Sequence, residues 1–131
     1  DQAIGRILDA LDASGMADDT IVVFTSDHGD MLGAHGGMLQ KWCNAFDETA
    51  RVPLVVRGPG IVPVAGGIST PTSHVDLIPT LMGLAGIDVE RAAAGVGAHH
   101  NEAHPLPGRD LSGLLTGAAS AADVARPWRA G

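Results

Sequence analysis

The residues best equipped for chemistry lie in the stretch TSDHGDMLGAHGGMLQKWCNAFDE, which covers residues 25–48. This stretch directly follows a short apolar run, TIVVF. Asp27 and His28 are adjacent near its start. A carboxylate and an imidazole that converge on one point make half of a site for a divalent cation, although two ligands alone do not hold one. In the alternative interpretation, Asp27 caps the following turn and His28 is simply exposed.

Lys41 follows Asp27 through a glycine-rich segment that is able to fold back on itself. A lysine beside a cation is repelled unless an anion lies between them. Lys41 therefore indicates a bound phosphate or sulfate, held by the cation on one side and the ammonium group on the other. Taken alone, a lysine is more often a solvated surface charge.

Other polar residues of the same stretch have structural interpretations. His35 is expected to form a hydrogen bond within the glycine-rich loop rather than to contact a substrate. Asp47 and Glu48 precede Arg51 closely enough for a structural salt bridge. Cys43 lies between two aromatic residues, which predicts a half-buried packing role rather than a reactive thiol.

The elements that would position these residues alternate between helix and strand, which predicts an α/β fold. The apolar, β-branched run at 20–25 is typical of a strand buried on both faces, and ligands of open parallel sheets bind beyond the carboxyl ends of such strands. Ser73 and Asp76 have the spacing of a capping box. The predicted elements are a helix at 2–15, strands at 20–25 and 51–58 that run side by side, and a helix at 74–85.

Residues 90–108 contain glycine, proline and histidine without a period, and we interpret them as a loop or a mobile insertion. His99, His100 and His104 lie there among glycine and alanine. A metal site needs a rigid frame, so these histidines are expected to be part of a solvated loop.

Composition excludes several classes of function. The net charge of the 131 residues is −7, which argues against nucleic acid as a partner because phosphate binding requires a basic face. No apolar run approaches the roughly 20 residues of a membrane span. The single cysteine rules out an internal disulfide. The compartment and the oligomeric state are left open.

Four blocks of the sequence together resemble the sulfatase family of the alkaline phosphatase superfamily: FTSDHGDMLGAHG, KW, FDETARVPLVVRGPG and TSHVDLIPTLMGLAGID. Their order and spacing match over roughly residues 1–115. The resemblance implies part of an alkaline-phosphatase-like α/β sandwich with a mostly parallel central sheet. It also implies that residues 1–131 are a partial sulfatase catalytic domain.

The resemblance assigns roles to individual residues. Asp27 and His28 match the pair that binds a divalent cation, commonly Ca²⁺, and Lys41 matches the lysine that contacts the sulfate group. The implied substrate is a small-molecule sulfate ester. His74 and Asp76 match a helix after the site and are expected to be structural.

The sequence departs from the family in its nucleophile. Sulfatases use a formylglycine made from the first residue of a C/S-x-P-x-R motif, and Cys43 does not begin one. The family's early aspartate pair and its substrate-contacting histidine are also absent. We therefore expect a fragment that carries half of the metal and sulfate site, inactive by itself, with the formylglycine in a segment upstream. A fragment of a phosphonate monoester hydrolase or phosphodiesterase of the same superfamily, or a non-catalytic remnant, are the alternatives.

Overall fold

The computed structural model describes residues 1–64, 67–97 and 104–124, and the chain divides into two compact units after Gly60. No helix among these residues is long and apolar enough to cross a membrane. The first unit contains α1 (Gln2–Ala13), β1 (Val22–Thr25), the short helical turns α2 (Ala34–Gly37) and α3 (Asp47–Ala50), and β2 (Leu54–Arg57). The second contains α4 (Leu77–Leu84), α5 (Val89–Gly97), α6 (Ser112–Thr116) and α7 (Ala121–Val124).

Helix α1 forms where the sequence repeats apolar residues with the period of a helix. The backbone leaves the helix at Ser14, and Gly15 then adopts a left-handed conformation with a φ of 72°. Glycine adopts that conformation without steric cost, so it is a natural end for a helix. The predicted helix at 2–15 is confirmed.

Strands β1 and β2 pair side by side, as predicted, and their direction is antiparallel. Val22 lies opposite Arg57, and Thr25 lies opposite Leu54. The segment between them contains only short helical turns, so the chain returns beside β1 without the helical crossover that a parallel pair requires. Within the described residues these two strands form the whole sheet.

The faces of this sheet are less buried than the sequence predicts. Phe24 in β1 is 43% exposed and Val55 in β2 is 56% exposed. The prediction that the first strand is buried on both faces is therefore wrong for the described chain. A sheet of two strands has too few neighbouring strands and helices to cover its apolar side chains.

In the second unit, the start of α4 is organised by one buried carboxylate. Ser73 and Asp76 form the predicted capping box around the 3₁₀ turn His74–Asp76, and the backbone N–H of Ser73 donates to Asp76 Oδ2 at 3.0 Å. Arg109 donates to the same carboxylate from its backbone N–H at 2.7 Å and from Nη2 at 3.1 Å. Asp76 is buried, and its bonds to Ser73 and Arg109 join a distant loop to the start of α4. The predicted helix at 74–85 is confirmed.

Helix α5 corrects the prediction of a loop over 90–108, because residues 90–97 are helical. The backbone N–H of Arg91 donates to the Asp88 carboxylate at 2.9 Å, which satisfies one of the first amides of the helix. Residues 104–108 form neither helix nor strand, and His104 is exposed there. His99 and His100 lie outside the described residues.

Candidate functional site

The turn from Ser26 to Gly29 begins directly where β1 ends. Asp27 and His28 are thus at the carboxyl end of the strand, where the sequence indicated them. The Ser26 hydroxyl lies 2.8 Å from the His28 carbonyl oxygen and 3.3 Å from Asp27 Oδ1. The backbone N–H of His28 donates to the same Asp27 oxygen at 2.9 Å. These contacts hold the two side chains on one side of the turn.

The two ring nitrogens of His28 have different partners, and this fixes where the proton lies. Nδ1 is 2.8 Å from the Gly29 carbonyl oxygen, which only accepts hydrogen bonds, so Nδ1 carries the proton. Nε2 lies 3.4 Å from Asp27 Oδ2. In the neutral imidazole Nε2 then has a free lone pair, which is the form that binds a metal.

The lone pair of His28 Nε2 and the carboxylate oxygen Oδ2 of Asp27 repel each other at 3.4 Å unless a positive charge lies between them. Either a proton on Nε2 or a cation bound by both atoms supplies that charge. Ligand atoms lie about 2.3–2.6 Å from Ca²⁺, so atoms 3.4 Å apart are able to reach one ion together. Asp27 and His28 therefore fit part of the ligand set of a divalent cation.

The Asp27 side chain is 83% exposed and keeps its charge. The backbone N–H of His28 is the main reason why the pKa of Asp27 lies below its ordinary value, with smaller contributions from the His28 ring and the Ser26 hydroxyl. A carboxylate that stays ionised and is exposed to solvent is suited to bind a metal cation. No group of three or more histidine, cysteine or acidic side chains in residues 1–64, 67–97 and 104–124 is arranged to hold a metal.

The site turn rests on α3 through Gly29. The Gly29 backbone N–H donates to the Thr49 carbonyl oxygen at 3.0 Å. A Cβ atom at position 29 would fall on the Glu48 carbonyl oxygen, so only glycine allows the two backbones to approach this closely. Thr49 is buried, and its hydroxyl lies 2.8 Å from Asn44 Oδ1. The short α3 is therefore a support for the turn that carries Asp27 and His28.

Lys41 lies between α2 and α3 and is exposed. In the part of the chain that the structure describes, its ammonium group has no hydrogen bond or ion pair, with Asp27 and His28 or with any other residue. The structure thus brings Asp27 and His28 together and leaves Lys41 as a separate exposed cation on the following loop. Its role in anion binding stays a prediction.

His35 departs from the hydrogen bond that the sequence suggested within the glycine-rich loop. Its Nε2 lies 3.2 Å from Glu48 Oε2, and its ring stacks on Phe46 with centroids 4.0 Å apart. Glu48 therefore pairs with His35, and among the described residues Arg51 has no ion pair. The expected salt bridge from Asp47 or Glu48 to Arg51 is wrong, because α3 ends at Ala50 and Arg51 continues in an extended conformation.

Sequence reasoning missed this pair because the two residues are far apart along the chain. A histidine and a glutamate at this separation indicate a pair only once the loop is known to fold back. Cys43 is exposed rather than half-buried, so the packing role predicted for it is wrong as well. Its backbone has a φ of 54°, in the left-handed region.

Comparisons with known proteins agree on one family. The Sulfatase family model matches residues 1–87. The chain is 49% identical to choline-sulfatase of Rhizobium meliloti (strain 1021) over 90 residues, which are 69% of this chain and 17% of that protein. It is 36% identical to an ulvan-active sulfatase of Formosa agariphila over 116 residues, 88% of this chain and 23% of the relative.

A solved structure of a 2-O GAG sulfatase superimposes with a TM-score of 0.71 at 31% identity, covering 88% of this chain and 22% of that one. The chain therefore spans about a fifth of the length of the proteins that it matches. Enzymes of the matched family generally use a metal ion.

Proposed function

Because this chain belongs to the sulfatase family, we propose that it carries half of the metal and sulfate site of a sulfuric ester hydrolase. In this proposal Asp27 and His28 bind the divalent cation and Lys41 binds the sulfate group. The observation that carries it is the hydrogen bond from His28 Nδ1 to the Gly29 carbonyl oxygen, which directs the metal-binding nitrogen towards Asp27.

We further propose that the chain is part of a longer catalytic domain, which we call the parent protein. Two findings support this. The chain matches only 17% and 23% of the length of its two relatives, and its sequence contains no C/S-x-P-x-R motif. The formylglycine nucleophile and the remaining metal ligands would then come from elsewhere in the parent protein. The 131 residues alone are expected to have no hydrolase activity.

The parent protein would also complete the sheet. Phe24, Leu54 and Val55 expose much of their apolar surface on β1 and β2. Such surface is costly in water and is normally covered by further elements. We propose that β1 and β2 are an antiparallel pair within a larger, mostly parallel sheet of an alkaline-phosphatase-like sandwich, since mixed sheets commonly contain such pairs.

The chemistry follows from charge. Sulfate ester cleavage places more negative charge on the bridging oxygen as the bond to sulfur breaks. A bound cation would stabilise charge on the sulfate oxygens, and Ca²⁺ is the ion we propose. Lys41 would bind and orient the same group from the opposite side with its ammonium hydrogens. Asp27 would stay ionised to hold the cation, as its lowered pKa favours.

The histidine ligand bears on the choice of Ca²⁺ as the ion. Calcium prefers oxygen ligands, whereas an imidazole nitrogen also suits Zn²⁺ and other transition metals. The metal content of the purified parent protein, followed by removal with a chelator and addition of single ions, would decide between them. Full recovery with Ca²⁺ supports the proposal, and recovery only with Zn²⁺ or Mn²⁺ would contradict the choice of ion.

The test of the function is hydrolysis by the purified, metal-loaded parent protein. Choline sulfate is the first substrate to try because choline-sulfatase is 49% identical over the matched region, and an aryl sulfate is the second. An aryl phosphate and an aryl phosphonate monoester serve as matched comparisons. We expect the sulfate esters to be cleaved fastest. Faster cleavage of the phosphonate or phosphate would favour the phosphoryl-transfer alternative, and no hydrolysis of any of them would favour the non-catalytic remnant.

A further inference from the structure

The loop between the site turn and α3 contains an unusual concentration of left-handed backbone. Leu32, His35 and Cys43 have positive φ values of 45°, 49° and 54°, and they are the only such residues other than glycine in the described chain. A side chain in this conformation costs energy and persists only where its surroundings require it. The strain is thus confined to the segment that carries Lys41.

His35 has the contacts that such a requirement needs. Its Nε2 lies 3.2 Å from Glu48 Oε2, and its ring stacks on Phe46 with an angle of 12° between the planes. Both partners belong to α3 or directly precede it. The pKa of Glu48 is lowered by its own backbone N–H and then by His35, so the carboxylate stays ionised towards the ring.

The backbone around His35 forms a hydrogen-bonded turn that precedes Lys41. Gly33 N–H donates to the Met38 carbonyl oxygen at 2.8 Å, and Met38 N–H donates to the Ala34 carbonyl oxygen at 3.1 Å. These bonds close a turn around His35, and Met31, which is only 2% exposed, anchors its beginning. The chain leaves Met38 for Lys41 directly from this turn, and His35 lies inside it.

Helix α3, which carries Glu48, also contacts the turn that carries Asp27 and His28. Gly29 N–H donates to the Thr49 carbonyl oxygen at 3.0 Å, and Thr49 is the residue after Glu48. The α3 turn thus contacts both the segment after His28 and the loop that carries Lys41. A single support for both segments is what a site needs when its cation and its lysine must approach one anion.

We propose that the His35–Glu48 pair, stacked on Phe46, is a positioning device that sets the loop carrying Lys41 relative to the Asp27–His28 turn. This inference rests on the proposed function for the role of Lys41. His35 itself is not assigned contact with the substrate. It acts through the backbone turn that precedes Lys41.

The first measurement does not depend on activity. A nitroxide spin label is attached to Cys43, which is exposed and close to Lys41 in the loop, and the parent protein with Cys43→Ser gives the background from any other thiol. We expect the label to become more mobile in His35→Ala and in Glu48→Ala. His104→Ala, which removes an exposed histidine of the second unit, should leave the spectrum unchanged. An unchanged spectrum in His35→Ala would overturn the proposal.

Two further variants separate the pair from the backbone strain. His35→Gly removes the side chain but tolerates the left-handed backbone, so it should loosen the loop as much as His35→Ala. His35→Gln keeps an N–H group that is able to reach Glu48, and it should restore part of the order. If His35→Gly behaves like the unchanged protein, backbone conformation alone positions the loop and the pair has no part in it.

The second measurement is a double-mutant cycle on turnover in the metal-loaded parent protein. We expect His35→Ala to lower kcat about tenfold when Lys41 is present and by less than about twofold in the Lys41→Ala background. A merely structural role would give the same loss in both backgrounds, and that result would overturn the proposal. If the unchanged parent protein cleaves no sulfate ester, the proposed function fails and the link to Lys41 turnover fails with it. The spin-label result then still decides whether the pair positions the loop.

Discussion

Asp27 lies in the turn after β1 and Asp76 lies directly before α4, and the surroundings of these two aspartates are opposite. The side chain of Asp27 is 83% exposed, whereas that of Asp76 is 7% exposed. Asp76 accepts hydrogen bonds from two backbone amides and the Arg109 guanidinium group. Asp27 Oδ1 accepts hydrogen bonds from the His28 amide at 2.9 Å and the Ser26 hydroxyl at 3.3 Å, and Oδ2 faces His28 Nε2 at 3.4 Å.

The comparison separates a structural carboxylate from one that is available for binding. Burial alone would raise the pKa of Asp76, but the hydrogen bonds from Arg109 and Ser73 outweigh it, and the pKa lies below its ordinary value. Those bonds leave the buried carboxylate little capacity for an outside ligand. Asp27 keeps an ionised oxygen at the surface, which is what a metal ligand requires.

The largest effect is expected for Asp27→Ala in the metal-loaded parent protein. Loss of a metal ligand should lower metal-dependent kcat about a thousandfold or more, because charge on the sulfate oxygens is no longer stabilised. The free energy of unfolding should change little, since the side chain is largely exposed. Asp18→Ala, an exposed carboxylate of the same unit, is the control. Equal turnover in the two variants would remove Asp27 from the site.

Asp76→Asn should show the reverse pattern. It leaves the Arg109 guanidinium partly buried without its counter-charge, and the loss of such a pair costs about 3–5 kcal/mol in the free energy of unfolding. Chemical denaturation of the parent protein measures it. Asp88→Asn, which changes an exposed carboxylate bonded to the Arg91 amide, should cost less than about 1 kcal/mol. A cost for Asp76→Asn as small as that of the control would show that the buried pair is not the organising contact.

Lys41→Met should lower kcat about a hundredfold while leaving the unfolding transition in place. Methionine keeps most of the length of the side chain and removes its charge, so the change isolates the ammonium group. Arg6→Gln in α1 removes another exposed cation and should have no effect on turnover. If Lys41→Met raises KM and leaves kcat unchanged, Lys41 binds the substrate without favouring the transition state.

The smallest effect is the acid dependence of stability. Because the pKa of Asp76 in the folded chain is below its ordinary value of 3.8, its contribution is present above that pH. It is lost as the pH falls through the folded pKa, where the carboxylate becomes protonated. The difference in unfolding free energy between the unchanged protein and Asp76→Asn should therefore shrink as the pH falls below about 4. A difference that stays constant from pH 7 to pH 3 would contradict this assignment.

Local patterns predicted much of the fold. The apolar period predicted α1, the β-branched run predicted β1, and the spacing of Ser73 and Asp76 predicted the capping box. Strand direction was not predictable from these patterns, because it depends on the path of the segment between β1 and β2. Helix α5 was missed although Val89, Ala92 and Val96 repeat with helical spacing, because the alanine and glycine residues around them make that apolar pattern weak. Asp88, three residues before Arg91, is also a usable start pattern.

In the candidate site, too, the sequence predicted local features and not those that depend on the path of the chain. Adjacency on the chain and the end of a strand were enough to bring Asp27 and His28 together. The tautomer of His28 depends on the Gly29 carbonyl oxygen, and the His35–Glu48 pair depends on a loop with several left-handed residues. Neither follows from residue type or spacing, because both require the three-dimensional path of the backbone.

The most direct test of the metal half-site is an anomalous difference map from crystals of the parent protein grown with Mn²⁺ as a replacement ion. We predict a peak within about 2.6 Å of both an Asp27 carboxylate oxygen and His28 Nε2, with Nδ1 still bonded to the Gly29 carbonyl oxygen. An ion bound elsewhere in the protein, with His28 Nε2 and Asp27 joined only as an ion pair, would contradict the assignment.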